Sequence, residues 1–108
     1  MAKYLIEETL GPKAYSGMLE NPEDRFEVLK PLFEAAGCRL EQFYASGIEN
    51  KSYLIVESPD LESVATVGAN FMAGGAATAI KYIPLMPMAE AVEMCRKAAS
   101  LGYRPPGK

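Results

Sequence analysis

Apolar and polar positions along the chain change period several times, and each change marks an element. From Lys3 to Leu10 an apolar run carries the β-favouring residues Tyr4, Ile6 and Thr9 and stops at Gly11-Pro12, which predicts a strand followed by a turn. Asn21-Pro22-Glu23-Asp24 then reads as a helix start. Asn21 can accept a hydrogen bond from a first-turn N–H, Pro22 sits where a missing N–H costs nothing, and the acids face the positive end of the dipole. Phe26, Leu29, Leu32, Phe33 and Ala36 recur at helical spacing, and Gly37 is placed to close the helix in a left-handed conformation. Pro31 lies inside this stripe; because the stripe stays in register beyond it, a kink is expected rather than a break.

Arg39–Ser46 and Ser52–Ser58 are the next strands, and the short connection Gly47-Ile48-Glu49-Asn50-Lys51 makes them an antiparallel hairpin. Ser58-Pro59-Asp60 opens a second helix with Leu61, Val64, Ala65, Gly68, Phe71 and Met72 on one face, ended by Gly74-Gly75. Ala76–Pro84 is the fourth strand, centred on Ile80, Tyr82 and Ile83. Pro87 and Met88 begin a third helix with Met88, Ala91, Val92, Cys95 and Ala99 on one face, and Gly102 closes it.

The order β-α-β-β-α-β with a further C-terminal helix predicts an α+β protein. Each crossover helix joins strands that another strand separates, so both helices lie on one face of a four-stranded antiparallel sheet. That is the ferredoxin-like sandwich. Residues 1–85 would form this domain and residues 86–108 the C-terminal helix and tail. The face opposite the helices should read polar if water covered it. Instead Tyr53 and Ile55 oppose Leu54 and Val56, and Leu5 alternates with Tyr4 and Ile6, so both faces carry apolar groups. Two such sheets packed face to face would form a two-fold homodimer. The alternative is that the third helix covers the second face within one chain.

A chain of 108 residues is one domain, burying roughly 60–70% of its unfolded surface, so association with a second copy is a natural way to add burial. The net charge of −3 is spread over interspersed acids and bases, and no Lys/Arg stripe is present to neutralise a nucleic-acid backbone. The basic end from Tyr103 to Lys108 reads as a solvated tail. No apolar stretch reaches the roughly 18–20 residues that span a bilayer, and Glu7 and Glu8 follow Met1 too soon for a signal peptide, so a cytoplasmic protein is expected. Cys38 and Cys95 form no CxxC pair and read as reduced packing residues. The absence of histidine removes the commonest general base, the usual zinc ligand and the proximal ligand of most haem sites, and leaves Ser16, Ser46 and Ser63 without an activating partner. Neither metal nor cofactor is implied.

The chain resembles the GYD-domain family of small dimeric α/β-barrel proteins. The resemblance rests on Tyr4-Leu5-Ile6, on Asn21-Pro22-Glu23-Asp24-Arg25, on Ala35-Ala36-Gly37 with Leu40-Glu41 and Phe43-Tyr44, and on Ile55-Val56-Glu57-Ser58-Pro59-Asp60. It covers about residues 3–85. The family's Gly-x-Tyr-Asp turn stands here as Gly47-Ile48-Glu49-Asn50, keeping the glycine alone. The resemblance implies the dimeric barrel fold and little about chemistry.

Seven side chains are candidates for ligand contact. Glu57, ending a central strand beside Tyr53 and Ile55, could have its pKa raised by burial and act as a base, or could simply pair with an arginine. Arg25, in the first turn of its helix, could bind an anion, hold Glu57, or form an exposed ion pair. Tyr4, Tyr44, Tyr53 and Tyr82 lie on four strands; on a common face they would line a pocket for an aromatic ligand, and otherwise they are core or interface. Asn70 could turn its amide into a cleft or lie on the helix flank. Gly74-Gly75 lacks the surroundings of a phosphate loop and reads as a turn. Three functions remain: a dimeric module for a small aromatic or anionic ligand, a cofactor-independent monooxygenase- or isomerase-like enzyme, or a structural subunit docking through Met86, Met88 and Met94. A cavity would favour the first two; a space filled by Phe26, Phe33, Phe43 and Phe71 would favour the third.

Overall fold

The computed structural model describes residues 1–107. The elements are β1 (Ala2–Leu10), α1 (Pro12–Glu20), α2 (Arg25–Ala35), β2 (Arg39–Ser46), β3 (Lys51–Ser58), α3 (Leu61–Ala73), β4 (Ala77–Leu85) and α4 (Met88–Ala99). The four strands form one antiparallel sheet in the order β2-β3-β1-β4, so α2 and α3 are crossovers between non-neighbouring strands. The protein is a ferredoxin-like α+β fold.

Local chemistry explains the boundaries. The Asp24 carboxylate accepts from the Phe26 N–H at 3.0 Å and starts α2, while Asp60 accepts from the Ser63 N–H at 2.8 Å and starts α3. The cap of α2 is therefore Asp24, three residues beyond the expected Asn21. Asn21 instead closes α1, its N–H donating to the Gly17 carbonyl. Beyond α2, Gly37 takes a φ of +82° and its N–H donates to the Glu34 carbonyl, while the Cys38 N–H donates to that of Phe33. This paired closure needs a left-handed residue, which is the service glycine performs there. Pro31 does not interrupt α2.

The hydrophobic pattern does not anticipate α1. Gly11-Pro12 reads as a turn, but proline is equally at home as the first residue of a helix, where its missing N–H has no partner to lose. Gly11 is held by its N–H donating to the Ala76 carbonyl at 2.9 Å.

Along β3 every second residue is buried. Ser52, Leu54, Val56 and Ser58 face the helices, and Lys51, Tyr53, Ile55 and Glu57 face the other way. In β1, Tyr4, Ile6 and Glu8 share the helix side. The core centres on Phe33 from α2, Val64 and Phe71 from α3, and Leu54 and Val56 from β3, with Tyr4 and Ile6 of β1 among the residues packed into it; the Phe33 and Phe71 rings meet edge-on at 5.9 Å between centroids. Under it, the Cys38 thiol donates to Ser58 Oγ at 3.3 Å, and that hydroxyl donates to the Asp60 carbonyl at 2.6 Å. Cys38 is thus a packing residue with a local partner.

Among the described residues, no helix lies over the opposite sheet face. Its central row is Ile55, Leu5 and Ile83, level with one another across β3, β1 and β4 and all half-buried. The C-terminal helix does not cover this row: α4 has no buried residue among the described ones and projects from the end of β4. The molecule measures 61 × 31 × 21 Å, with a radius of gyration of 17.7 Å against about 13 Å for a compact domain of this length.

Candidate functional site

Where α1 and the first turn of α2 stand off the sheet, a cleft of about 580 Å³ opens on the helix side. Its floor is a polar pair in an apolar setting. Glu8 of β1 and Ser52 of β3 are opposite each other in the ladder, and the Ser52 hydroxyl donates to Glu8 Oε1 at 3.3 Å. Both are nearly sealed from solvent, Glu8 at 4% and Ser52 at 3% exposure. Phe26 and Leu29 of α2, Phe43 of β2 and Phe71 of α3 form the walls, and α1 contributes Ala14, Tyr15 and Met18. Lys13 and Arg25 stand at the rim beside Glu23 and Asp24.

Burial pushes the Glu8 carboxyl above the ordinary range, because the apolar walls disfavour its charged form; the hydrogen bond from Ser52 pulls partly the other way. Burial also raises the Tyr82 hydroxyl, and the nearby negative charge of Glu8 adds to that effect. Tyr82 lies across α3, where Gly68 makes room: a Cβ at that position would overlap the Tyr82 hydroxyl. Glu8 can therefore donate a hydrogen bond when protonated and accept a proton or a cation when ionised, at a position nearly sealed from solvent.

The seven residues expected to touch a ligand are not assembled into one place. Arg25 alone among them borders the cleft, and its guanidinium is bonded to Glu23 at 2.6 Å rather than to Glu57. Glu57 lies on the open face in an ion pair with Arg39 at 2.9 Å. The four tyrosines divide two and two. Tyr4 is in the core and Tyr82 is half-buried on the helix side. Tyr44 and Tyr53 are cross-strand neighbours on the open face, the first donating to Gln42 Oε1 at 3.0 Å and the second to the Glu49 carboxylate at 3.1 Å. Partial desolvation, then the Glu49 carboxylate, raises the Tyr53 hydroxyl. Asn70 is exposed on α3.

Glu8 and Ser52 were not singled out by the sequence, although a signal was present. The row Tyr4-Ile6-Glu8 puts a carboxyl on the same side of a strand as two core residues. Nothing in that row reveals Ser52, which reaches Glu8 only through the β1–β3 pairing.

A comparison with protein families decides the lineage: the GYD domain matches residues 4–95. The chain belongs to the GYD-domain family. The match runs past β4 into α4. A search of curated proteins finds no match. In this GYD protein the hairpin turn at Gly47-Ile48-Glu49-Asn50 has its own hydrogen-bond logic. Asn50 adopts a φ of +60°, a conformation asparagine tolerates better than most residues. Its side-chain amide donates to the Leu10 carbonyl at 3.3 Å, and its own carbonyl accepts from the Leu10 N–H at 3.0 Å. An aspartate at this position could not donate the first of these bonds. The turn thereby fastens the hairpin to the end of β1, close to the cleft.

Among the described residues, no helix is long and apolar enough to cross a membrane.

Proposed function

We propose that this GYD protein is a homodimeric small-molecule-binding module whose cleft takes a ligand with an aromatic body and a polar group directed at Glu8. The observation that carries the reading is the buried Glu8–Ser52 pair at the floor of an aromatic-walled cleft of about 580 Å³. Ligand sites commonly have this size and this economy of polar groups, about 300–1,000 Å³ with a few convergent donors or acceptors. Phe26, Phe43 and Phe71 line the cleft and supply aromatic surface for an aromatic guest. An anionic substituent would be met at the rim by Lys13, which has no acidic partner among the described residues, and by Arg25.

The homodimer part of the proposal rests on the apolar row Ile55-Leu5-Ile83, left without a cover by every helix of its own chain. Around that row are Glu7 and Lys81, level with each other, and Lys3 level with Glu57, so the face offers both signs of charge to a two-fold copy of itself. Two free cysteines, one of them exposed, suit a reducing cytoplasmic setting.

The raised pKa of Glu8 favours a second reading, in which the same cleft belongs to a cofactor-independent enzyme and Glu8 moves a proton on the substrate. Turnover of a bound compound would separate this from binding alone.

The chain has no tryptophan, so a Phe43→Trp variant places a single fluorophore in the cleft wall. Titration with neutral aromatic alcohols, aromatic carboxylates and aromatic amines should change its emission saturably for at least one class. Glu8→Gln in the same background should weaken that binding by at least about tenfold, the cost of one lost charge-assisted or buried hydrogen bond. Native mass spectrometry of gently purified protein should show a dimer, with or without added ligand mass. No saturable response from any class, together with an unliganded mass, would end the ligand-binding reading.

A further inference from the structure

The fold leaves a second apolar surface without a partner. Helix α4 is 12 residues long, and its Met88, Ala91, Val92, Cys95 and Ala99 lie together on one side, lining a shallow apolar groove with Arg96 at its margin. Val92 is 46% exposed and Met88 77%. A helix of this length is marginal in water on its own, because nucleation is costly and few hydrogen bonds follow, so most helices of this length depend on packing an apolar face.

The chain's own sheet is not what α4 meets. Only Met86 and Pro87 separate it from β4, and Pro87 has extended geometry, with φ −58° and ψ 146°. With so short and stiff a connection, the helix is carried outward from the sheet, in keeping with the 61 Å long axis of the molecule. A surface held out in this way is within reach of another molecule.

We propose that α4 is a docking arm that pairs antiparallel with α4 of a second copy of this chain. The pairing rests on the homodimer reading above for most of its buried area, since one pair of short helices falls well below the roughly 1,000 Å² of a stable interface. Three features of α4 select its own copy as the occupant. Met88, Val92, Cys95 and Ala99 are spaced by four, three and four residues, the seam that one helix presents to another. In an antiparallel register centred between Glu93 and Met94, Met88 falls opposite Ala99 and Val92 opposite Cys95, so each larger side chain meets a smaller one. The charges agree with that direction: the first turn carries Glu90 and the last turn Arg96 and Lys97, so antiparallel neighbours place acid beside base and oppose their dipoles. A parallel pair would set like charges level.

In this register the two Cys95 residues lie three residues of helix rise apart, about 4.5 Å along the axis, on either side of the two-fold. Cys95 is exposed and Cys38 is buried, so a thiol reagent addresses Cys95 first.

The test uses the full chain and a short bis-maleimide at dilute protein. A covalent dimer should form rapidly, disappear in Cys95→Ser, and fall at least about tenfold in yield in Val92→Glu. Because α4 buries none of its residues in its own chain, Val92→Glu should leave the far-UV circular dichroism of the domain unchanged, which confirms that the variant folds. Sedimentation separates the two levels of the reading. A wild-type dimer without Cys95 cross-linking, or with cross-linking undiminished in Val92→Glu, overturns the α4 pairing and leaves the sheet-mediated dimer standing. A wild-type monomer overturns both.

Discussion

Replacing Glu8 by glutamine tests the electrostatics of the cleft directly. The substitution keeps the shape of the side chain and an oxygen that can accept from Ser52, but removes the titrating group. In the folded protein the Glu8 carboxyl holds its proton more tightly than in the unfolded chain, because burial raises its pKa above the ordinary carboxylate value. The sign follows from linkage. Below the unfolded value the carboxyl is protonated in both states and costs nothing. As pH rises toward the folded pKa, the unfolded chain releases the proton first and the folded state loses stability, by up to about 1.4 kcal/mol per pH unit. Above the folded pKa the loss is complete and the curve flattens. The glutamine variant has no such loss, so the stability of Glu8→Gln relative to wild type should rise through weakly acidic pH and then level off, and the level-off point reads the folded pKa of Glu8. Every other carboxylate is common to both proteins and drops out of the difference. Urea unfolding at steps from about pH 4 to about pH 8 measures it, since a change of about 1 kcal/mol moves the transition by most of a molar unit in a small domain. Stability curves that run parallel across the range, or a variant that loses ground as pH rises, would refute a buried carboxyl at the floor of the cleft.

Three further outcomes are expected. Phe33 is fully buried against Phe71, so Phe33→Ala should cost about 3–5 kcal/mol with little change in the denaturant slope, read by the same urea titration. Gly11→Ala would bring a Cβ to 2.5 Å from the Gly75 carbonyl oxygen, a backbone atom that cannot rotate away. That should cost about 1–3 kcal/mol, and the displaced start of α1 should shift the tryptophan emission of the Phe43→Trp background even without ligand. Leu5→Lys puts a charge in the middle of the uncovered row on the open face, so it should raise the dimer dissociation constant at least about tenfold in sedimentation while leaving the monomer's fold intact.

Apart from α1, the succession of elements and the two-layer architecture were legible in the chain before any contact was known. They follow from short-range physics: apolar residues repeating every second or every third-to-fourth position, Asp60 and Gly37 at helix ends, and crossovers long enough to pass over a neighbouring strand. Where a local signal has two readings the sequence was ambiguous, as at Gly11-Pro12, where a turn and the start of α1 look alike. It also showed that the second face of the sheet carries apolar residues, because alternation along Leu5 and Ile55 is visible in one dimension.

The site, by contrast, was made by long-range pairing. Glu8 and Ser52 are 44 residues apart, and the bond between them exists because the β1–β3 register sets them level. The registers of the three strand pairs likewise split the four tyrosines between two faces, and the β2–β3 pairing gives Glu57 to Arg39 instead of Arg25, outcomes that depend on which strand lies beside which. The cleft is likewise a space between elements, formed because α1 stands away from the sheet, and no residue list encodes a gap. The direction of α4 completes the pattern: its apolar face is plain in the sequence, but only the extended Pro87 and the absence of any buried residue along the helix show that it stands away from its own core. Periodicity is a property of neighbours along the chain, whereas sites are made by residues that folding brings together.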